Sequence, residues 1–275
     1  MPRYAIGLPN VGSFADPLNL VDLAVAAEEH GWDGVFVWDH VLYHDPDWPV
    51  VNPVVVVSAI AARTSRIRLG VLMTALPRRR VQVVARETAT LDRLSAGRLV
   101  FGAGIGSMDA EYAIFGEDPD PRVRGRRLDE SLDLLAALWS GGEVAMPSGD
   151  PVRMLPTPVQ RPRVPVWCAG RWPNRPGFRR SARWDGVVAT FANAGRTVPV
   201  PVDDVAAAVR FVAAERGSLD GFDVALEGWT SPDNAASVVA PYVDAGLTWW
   251  IEAMGWWRGG PEAARQRILA GPPDR

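Results

Sequence analysis

Eight short runs rich in β-branched and apolar residues alternate with helical patterns over 275 residues, and this alternation constrains the fold more than any other feature. The runs are Arg3–Leu8, Val35–Trp38, Arg68–Thr74, Leu99–Ala103, Val164–Ala169, Gly186–Thr190, Asp223–Glu227 and Thr248–Ala253. Parallel strands cannot be joined by a tight turn, so a strand, a helix and a further strand read as one crossover unit. Eight units with no strand left over predict a closed α/β barrel, the (β/α)8 TIM-barrel architecture, as a single domain over 1–275. An open doubly wound sheet is the alternative.

The helices follow from spacing. Leu20, Leu23, Ala24 and Ala27 share a face over Leu18–His30, and Gly31 follows where a C-terminal glycine is favoured. Val84, Thr88, Leu91 and Leu94 do the same in Val81–Leu94, as do Leu128, Leu132, Leu135 and Leu138 in Leu128–Trp139. Further helices are expected over Val54–Arg63, Gly177–Trp184, Val202–Arg216, Asp233–Ala245 and Pro261–Leu269. The Pro/Gly-rich stretch 143–158 reads as an excursion before the fifth run, a small hairpin.

Composition removes several functions. A net charge of −3 argues against nucleic-acid partners. One cysteine, Cys168, and three histidines leave no basis for an internal disulfide or a structural zinc site, so no metal is expected. No apolar run approaches a membrane span, and no basic stretch precedes a long apolar core at the N-terminus, so the expectation is a cytoplasmic protein without a membrane partner. All 29 cationic residues are arginine. Without lysine, Schiff-base aldolase, pyridoxal-phosphate and P-loop chemistry are excluded.

In a barrel of this kind chemistry sits at the C-terminal strand ends. The second run ends in Trp38-Asp39-His40. Alternation along a strand puts Phe36, Trp38 and His40 on one face and Asp39 on the other. Histidine suits proton transfer near neutral pH; the other reading is a strand-end histidine bonded to a loop. After the third run come Arg78, Arg79 and Arg80, ahead of a helix whose N-terminal dipole they oppose. They need carboxylates or an anion nearby, unless the loop is simply solvated. The fourth run ends in Gly102-Ala103-Gly104-Ile105-Gly106, which lets backbone approach a flat ligand but does not match the dinucleotide fingerprint. Glu111 follows on the same rim, or on the surface. After the fifth run, Gly170-Arg171 and Gly177-Phe178 at a helix start suggest an anion cradle, against an arginine-rich turn. Glu227 and Glu252 lie on the last two runs, and Trp249, Trp250, Trp256 and Trp257 crowd the final strand as a stacking surface or as core.

With these residues in place, the chain resembles the bacterial luciferase-like monooxygenase family of flavin- and deazaflavin-dependent oxidoreductases. The resemblance rests on Gly31-Trp32-Asp33-Gly34 with Trp38-Asp39-His40, on Thr64–Thr74, on Leu91–Leu99 through Gly102–Gly106, on Leu128-Asp129-Glu130, on Pro165–Gly170 and on Arg180–Gly186. It implies the same barrel, with FMN or coenzyme F-420 in its mouth and a small organic substrate. The Asp39-His40 pair resembles that of F-420-using members. The ring would lie near Trp38, Asp39, His40, Gly70, Val71, Leu72, Thr74, Gly104, Ile105 and Gly106. The phosphate would lie near Gly170, Arg171, Gly177 and Phe178. His40 would hydrogen-bond the reacting centre and Glu111 would donate a proton. A non-prolyl cis peptide is expected at Val71–Leu72. The FMN version implies a separate reductase, and a homodimer is an open expectation. The chain is short for the family, which implies a reduced insertion over the pocket. The rival readings are a phosphate-gripping barrel isomerase or lyase, for which Thr190-Phe191 offers no catalytic pair, and a non-catalytic flavin-binding barrel.

Overall fold

A computed structural model describes residues 1–195 and 198–273. Strands β1 (Arg3–Leu8), β2 (Gly34–Val37), β3 (Arg68–Ala75) and β4 (Leu99–Gly104) come first, then a two-stranded antiparallel hairpin of β5 (Val144–Ala145) and β6 (Pro151–Val152). Strands β7 (Val166–Trp172), β8 (Gly186–Phe191), β9 (Asp223–Gly228) and β10 (Trp249–Ala253) complete the set. Eight of them close a parallel barrel in the order β1-β10-β9-β8-β7-β4-β3-β2. The open doubly wound sheet is therefore excluded, and the excursion before β7 is the hairpin.

The helices are α1 (Pro17–Glu29), α2 (Pro53–Arg63), α3 (Val81–Leu94), α4 (Ala110–Ala113), α5 (Pro121–Trp139), α6 (Arg175–Ser181), α7 (Val202–Arg216), α8 (Ala235–Asp244) and α9 (Gly260–Leu269). Three depart from the sequence reading, the short α4 having no counterpart in it. Helix α5 starts at Pro121 rather than Leu128, because Asp120 caps it by accepting the Arg122 and Val123 amides. Helix α6 starts at Arg175, so Gly177 lies inside its first turn. A Cβ at Gly177 would stand 2.5 Å from the Ala169 carbonyl oxygen, so this glycine lets α6 pack directly on β7.

The barrel interior is filled, not hollow. Phe36, Trp167 and Trp249 meet at its centre, with ring centroids 5.4–6.1 Å apart. Small residues face these rings. A Cβ at Gly34 or Gly186 would strike the Trp249 or Trp167 ring, and Ala5 and Ala225 line the same core. Gly70 belongs to this packing rather than to the mouth, since a Cβ there would sit 2.1 Å from the Val100 carbonyl oxygen. At the opposite end from the strand C-termini, buried Arg98 donates to the Ala61, Thr64, Ile67 and Ser95 carbonyls and ties α2 and α3 to the sheet.

One irregularity shapes the mouth. The β3–β4 register shifts by one residue between Val71 and Thr74, a bulge in which the Leu72–Met73 peptide is cis. The expected cis bond at Val71–Leu72 is thus one bond too early. The bulge breaks side-chain alternation: Leu72 and Met73 both face the barrel interior. Val71 and Thr74 instead turn to the helix layer against α3, which removes their side chains from the expected ring contact.

Candidate active site

His40 stands three residues beyond β2, and its neighbours are set by a loop that folds back over β1. The Asn10 amide group donates to the His40 and Val51 carbonyls, and the His40 amide donates to Asn10. This fixes the backbone, so the imidazole is aimed by its own partner. That partner is Glu111, carried on the single turn α4: Nδ1 of His40 lies 3.3 Å from Glu111 Oε2.

Glu111 is 1% exposed, which corrects the surface reading. Its Oε1 accepts the Val41 and Leu42 amides at 2.7 and 3.3 Å, and its Oε2 lies 3.0 Å from Nη1 of Arg78. Burial pushes its pKa up, but the His40 hydrogen bond, the Arg78 charge and the Val41 amide outweigh burial and hold it at about 2. Glu111 is therefore a carboxylate that accepts hydrogen bonds, which is at odds with the proton-donor role expected of it. A carboxylate at Nδ1 fixes the neutral tautomer with hydrogen on that nitrogen and leaves Nε2 as the basic atom.

Arg78 joins this pair to Asp39. Its Nη2 donates to the Asp39 carbonyl at 2.8 Å and lies 3.2 Å from Asp39 Oδ1. Arg79 donates to the same oxygen at 2.7 Å, and the Ala75 amide donates to Oδ2 at 2.9 Å. The arginine run thus has its carboxylates. Asp39, fully buried on the outer side of the barrel wall, locks β2 to the end of β3; its side chain does not face the mouth.

The mouth has two unlike sides. On one, the Trp38 indole N–H reaches Glu227 on β9 at 3.4 Å. Strands β1 and β10 lie between, and their inward positions at this level are Gly7 and Ala253, so the indole passes over them. Trp257 stacks on Trp38 with centroids 5.9 Å apart, and Trp256, Trp48 and Tyr43 extend the aromatic wall. The four late tryptophans separate accordingly: Trp256 and Trp257 wall the mouth, Trp249 fills the barrel and Trp250 packs on Tyr242. The other side carries small inward residues, Gly104 on β4 and Ala169 on β7, beside Met73. The Ile105 carbonyl accepts from Tyr112 and Arg124, and the Gly106 carbonyl from Arg124. Because a trans peptide sets N–H opposite C=O, the Gly106 and Ser107 amides point the other way and remain available.

Of the expected phosphate group, Gly170 and Phe178 pack on each other, with a Cβ at Gly170 only 2.9 Å from the ring. Exposed Arg171, on the inward register of β7, pairs with exposed Thr190 of β8. Sequence reasoning missed Met73 and Arg124 as site residues. Met73 had no signal without the bulge, and Arg124 lay in a helical turn read as loop.

Residues 7–269 match the luciferase-like monooxygenase family. The chain belongs to that family. It is 34% identical over 220 residues to an F420-dependent glucose-6-phosphate dehydrogenase of Nakamurella multipartita, covering 77% of this chain and 62% of that protein. The chain thus spans a little under two thirds of this relative. Two solved structures share the fold. An F420-dependent secondary alcohol dehydrogenase in complex with an F420-acetone adduct superposes with a TM-score of 0.76 at 17% identity, over 98% of this chain and 99% of that one. The oxygenating constituent of 3,6-diketocamphane monooxygenase from Pseudomonas putida, in complex with FMN, gives 0.78 at 12% identity, over 98% and 96%. Among the described residues no helix is long and apolar enough to cross a membrane, and no cluster of ligating side chains could hold a metal.

Proposed function

We propose that the chain is a flavin- or deazaflavin-dependent oxidoreductase acting on a small organic substrate, with His40 moving the proton at the reacting centre. The observation that carries this reading is the buried His40–Glu111 pair at the mouth of the barrel. An ionised acceptor at Nδ1 prepares Nε2 to take a proton from a hydroxyl group or to return one. Asp39 and Arg78 act at one remove, as positioning residues that hold β2, β3 and α4 in register.

The small-residue side of the mouth fits a planar ring. Leu72 and Met73 back it, Gly104 leaves space that a side chain would fill, and the Gly106 and Ser107 amides suit a polar ring edge. Reduced FMN or F-420, when bound, supplies the hydride chemistry. Arg171, with Gly170 behind it, is the group left to meet the phosphate, since Gly177 and Phe178 are engaged in packing. The aromatic wall of Trp38, Trp256 and Trp257 then faces the substrate and excludes water. The relatives favour F-420, and the FMN-bound fold neighbour keeps FMN and a separate reductase within the reading. Cytoplasmic placement belongs to the same proposal.

The test is a titration with each cofactor, followed by turnover assays with secondary alcohols and sugar phosphates. Binding of one cofactor with turnover that fails in His40→Ala supports the reading. Binding without any dependence on His40 returns the site to a flavin-binding barrel.

A further inference from the structure

A buried arginine stands behind the loop that leaves β4. Arg124, near the start of α5, is 2% exposed. A cation there opposes the positive end of the helix dipole, so α5 itself gains nothing from it. Its Nη1 donates to the Ile105 carbonyl at 3.1 Å and to the Gly106 carbonyl at 3.3 Å. Its Nη2 donates to Asp109, whose side chain is 71% exposed. The guanidinium carbon lies 4.7 Å from the centre of the Tyr112 ring, and the Tyr112 hydroxyl donates to the same Ile105 carbonyl at 2.9 Å.

One nitrogen takes two successive carbonyls, so both peptides turn their C=O groups to the helix layer. Their N–H groups, those of Gly106 and Ser107, lie on the far side, toward the mouth. Gly106 has a φ of +78°, and a Cβ there would stand 3.0 Å from the Tyr112 ring, so the arrangement needs glycine. A carbonyl that accepts from a cation polarises its own peptide, and the N–H at the other end becomes a stronger donor. The carboxylate that answers Arg124 is turned to solvent, where its charge is screened. The two peptides therefore feel a buried positive charge that is only partly neutralised. Bracing alone would not require this charge, since Tyr112 braces the Ile105 carbonyl with a neutral hydroxyl.

We propose that Arg124 is a positioning residue that makes the Gly106 and Ser107 amides a polarised donor pair favouring the reduced cofactor over the oxidised one. The proposal rests on the oxidoreductase reading. When an alcohol is oxidised, its C–H bond breaks with the electron pair going to the ring, its O–H proton goes to Nε2 of His40, and a carbonyl is left. The ring thereby gains one negative charge. Donors already fixed where charge develops stabilise it without reorganising. Arg124 does not touch the ring; it acts through two peptide bonds. The two sides of the reaction are thus held apart, with the proton on the His40–Glu111 side and the hydride's charge on the Arg124 side.

Removing the charge tests this. Arg124→Met does so at similar volume. Arg124→Gln keeps a donor without the charge and serves where the methionine variant does not fold. The readout is the Kd of the oxidised and of the reduced cofactor, titrated anaerobically with whichever of F-420 or FMN the wild type binds. Both neutral variants should weaken the reduced form about tenfold more than the oxidised form, which lowers the two-electron potential of the bound cofactor by about 30 mV. Arg124→Lys, which keeps the charge, should restore most of the preference. Tyr112→Phe, which removes a neutral donor from the same carbonyl, should weaken both forms alike. An equal loss for both forms in the neutral variants makes Arg124 a brace and overturns the proposal, as does a lysine variant that behaves like the neutral ones. A wild-type protein that binds neither cofactor overturns the oxidoreductase reading, and the proposal with it.

Discussion

Two buried glutamates are paired with arginine in this chain, Glu252 within a barrel strand and Glu111 beyond one, and only Glu111 also meets a histidine. Glu252 on β10 is fully buried, and its oxygens accept from the Thr230 amide and hydroxyl at 2.7 Å, the Trp250 indole at 3.0 Å and Arg258 at 2.7 Å. Every direction is filled by a neighbour that cannot change its charge near neutral pH. Glu111 is buried as deeply, but one of its partners is a histidine, and it lines a cavity of about 390 Å³. The charge pairing alone does not separate a strut from a working group. What separates them is whether the partner set is saturated and whether any member titrates.

Breaking the strut should give the largest effect. Glu252→Ala leaves Arg258 and Arg267 without their carboxylate, and removal of one partner of a buried ion pair costs about 3–5 kcal/mol. Urea unfolding should show that loss, while kcat per folded molecule stays near wild type. A variant that unfolds no more easily would make the two glutamates alike.

Acid should strain the other network next. The folded pKa of Glu111, about 2, lies below its ordinary 4.5. Its contribution is therefore complete above pH 4.5 and is lost as pH falls through the folded value. The full shift corresponds to about 3 kcal/mol. Stability curves between pH 7 and 3 should fall less steeply for Glu111→Gln than for wild type. Parallel curves would deny the carboxylate its ionised state.

His40→Ala should lower kcat by about 10²-fold or more, with cofactor affinity and melting temperature nearly unchanged. Full turnover with a validated substrate would make this region a strut as well. Asp39→Asn should have the smallest effect. It keeps an acceptor for the Ala75 amide but weakens the arginine pairing, and about 1–2 kcal/mol of stability should go with no direct loss of chemistry. If kcat falls as far as in His40→Ala at unchanged stability, Asp39 belongs to the reacting centre.

The barrel was legible because its signals are local. Apolar runs of four to eight residues between periodic helices needed no tertiary knowledge, and α3 and α7 begin and end where the spacing ends. The missing turns of α5 were also available, in Asp120 and Pro121, a capping residue followed by a first-turn proline. The site was only partly legible. His40 stood out by position, and the arginine run announced a need for carboxylates without naming them. What sequence could not carry was geometry across loops. Glu111 joins His40 over 71 positions of chain, and the bulge that turns Met73 inward depends on how β3 meets β4. Gly177 looked like a ligand contact because a glycine in a first helical turn serves close packing and anion binding equally well.

The indole of Trp38 reaches Glu227 across the small inward positions Gly7 and Ala253. A Cβ on Gly7 would lie 3.1 Å from both the Glu227 carboxylate and the Ile251 side chain, tighter than an ordinary contact. Volume at position 7 is therefore tied to the strands beside it: a larger residue there displaces Ile251 or Glu227, and with Glu227 the anchor of the indole. A shorter residue at 38 would leave open the space over Gly7, so the width of the mouth can be reset from a single strand with the histidine and its carboxylate left where they are.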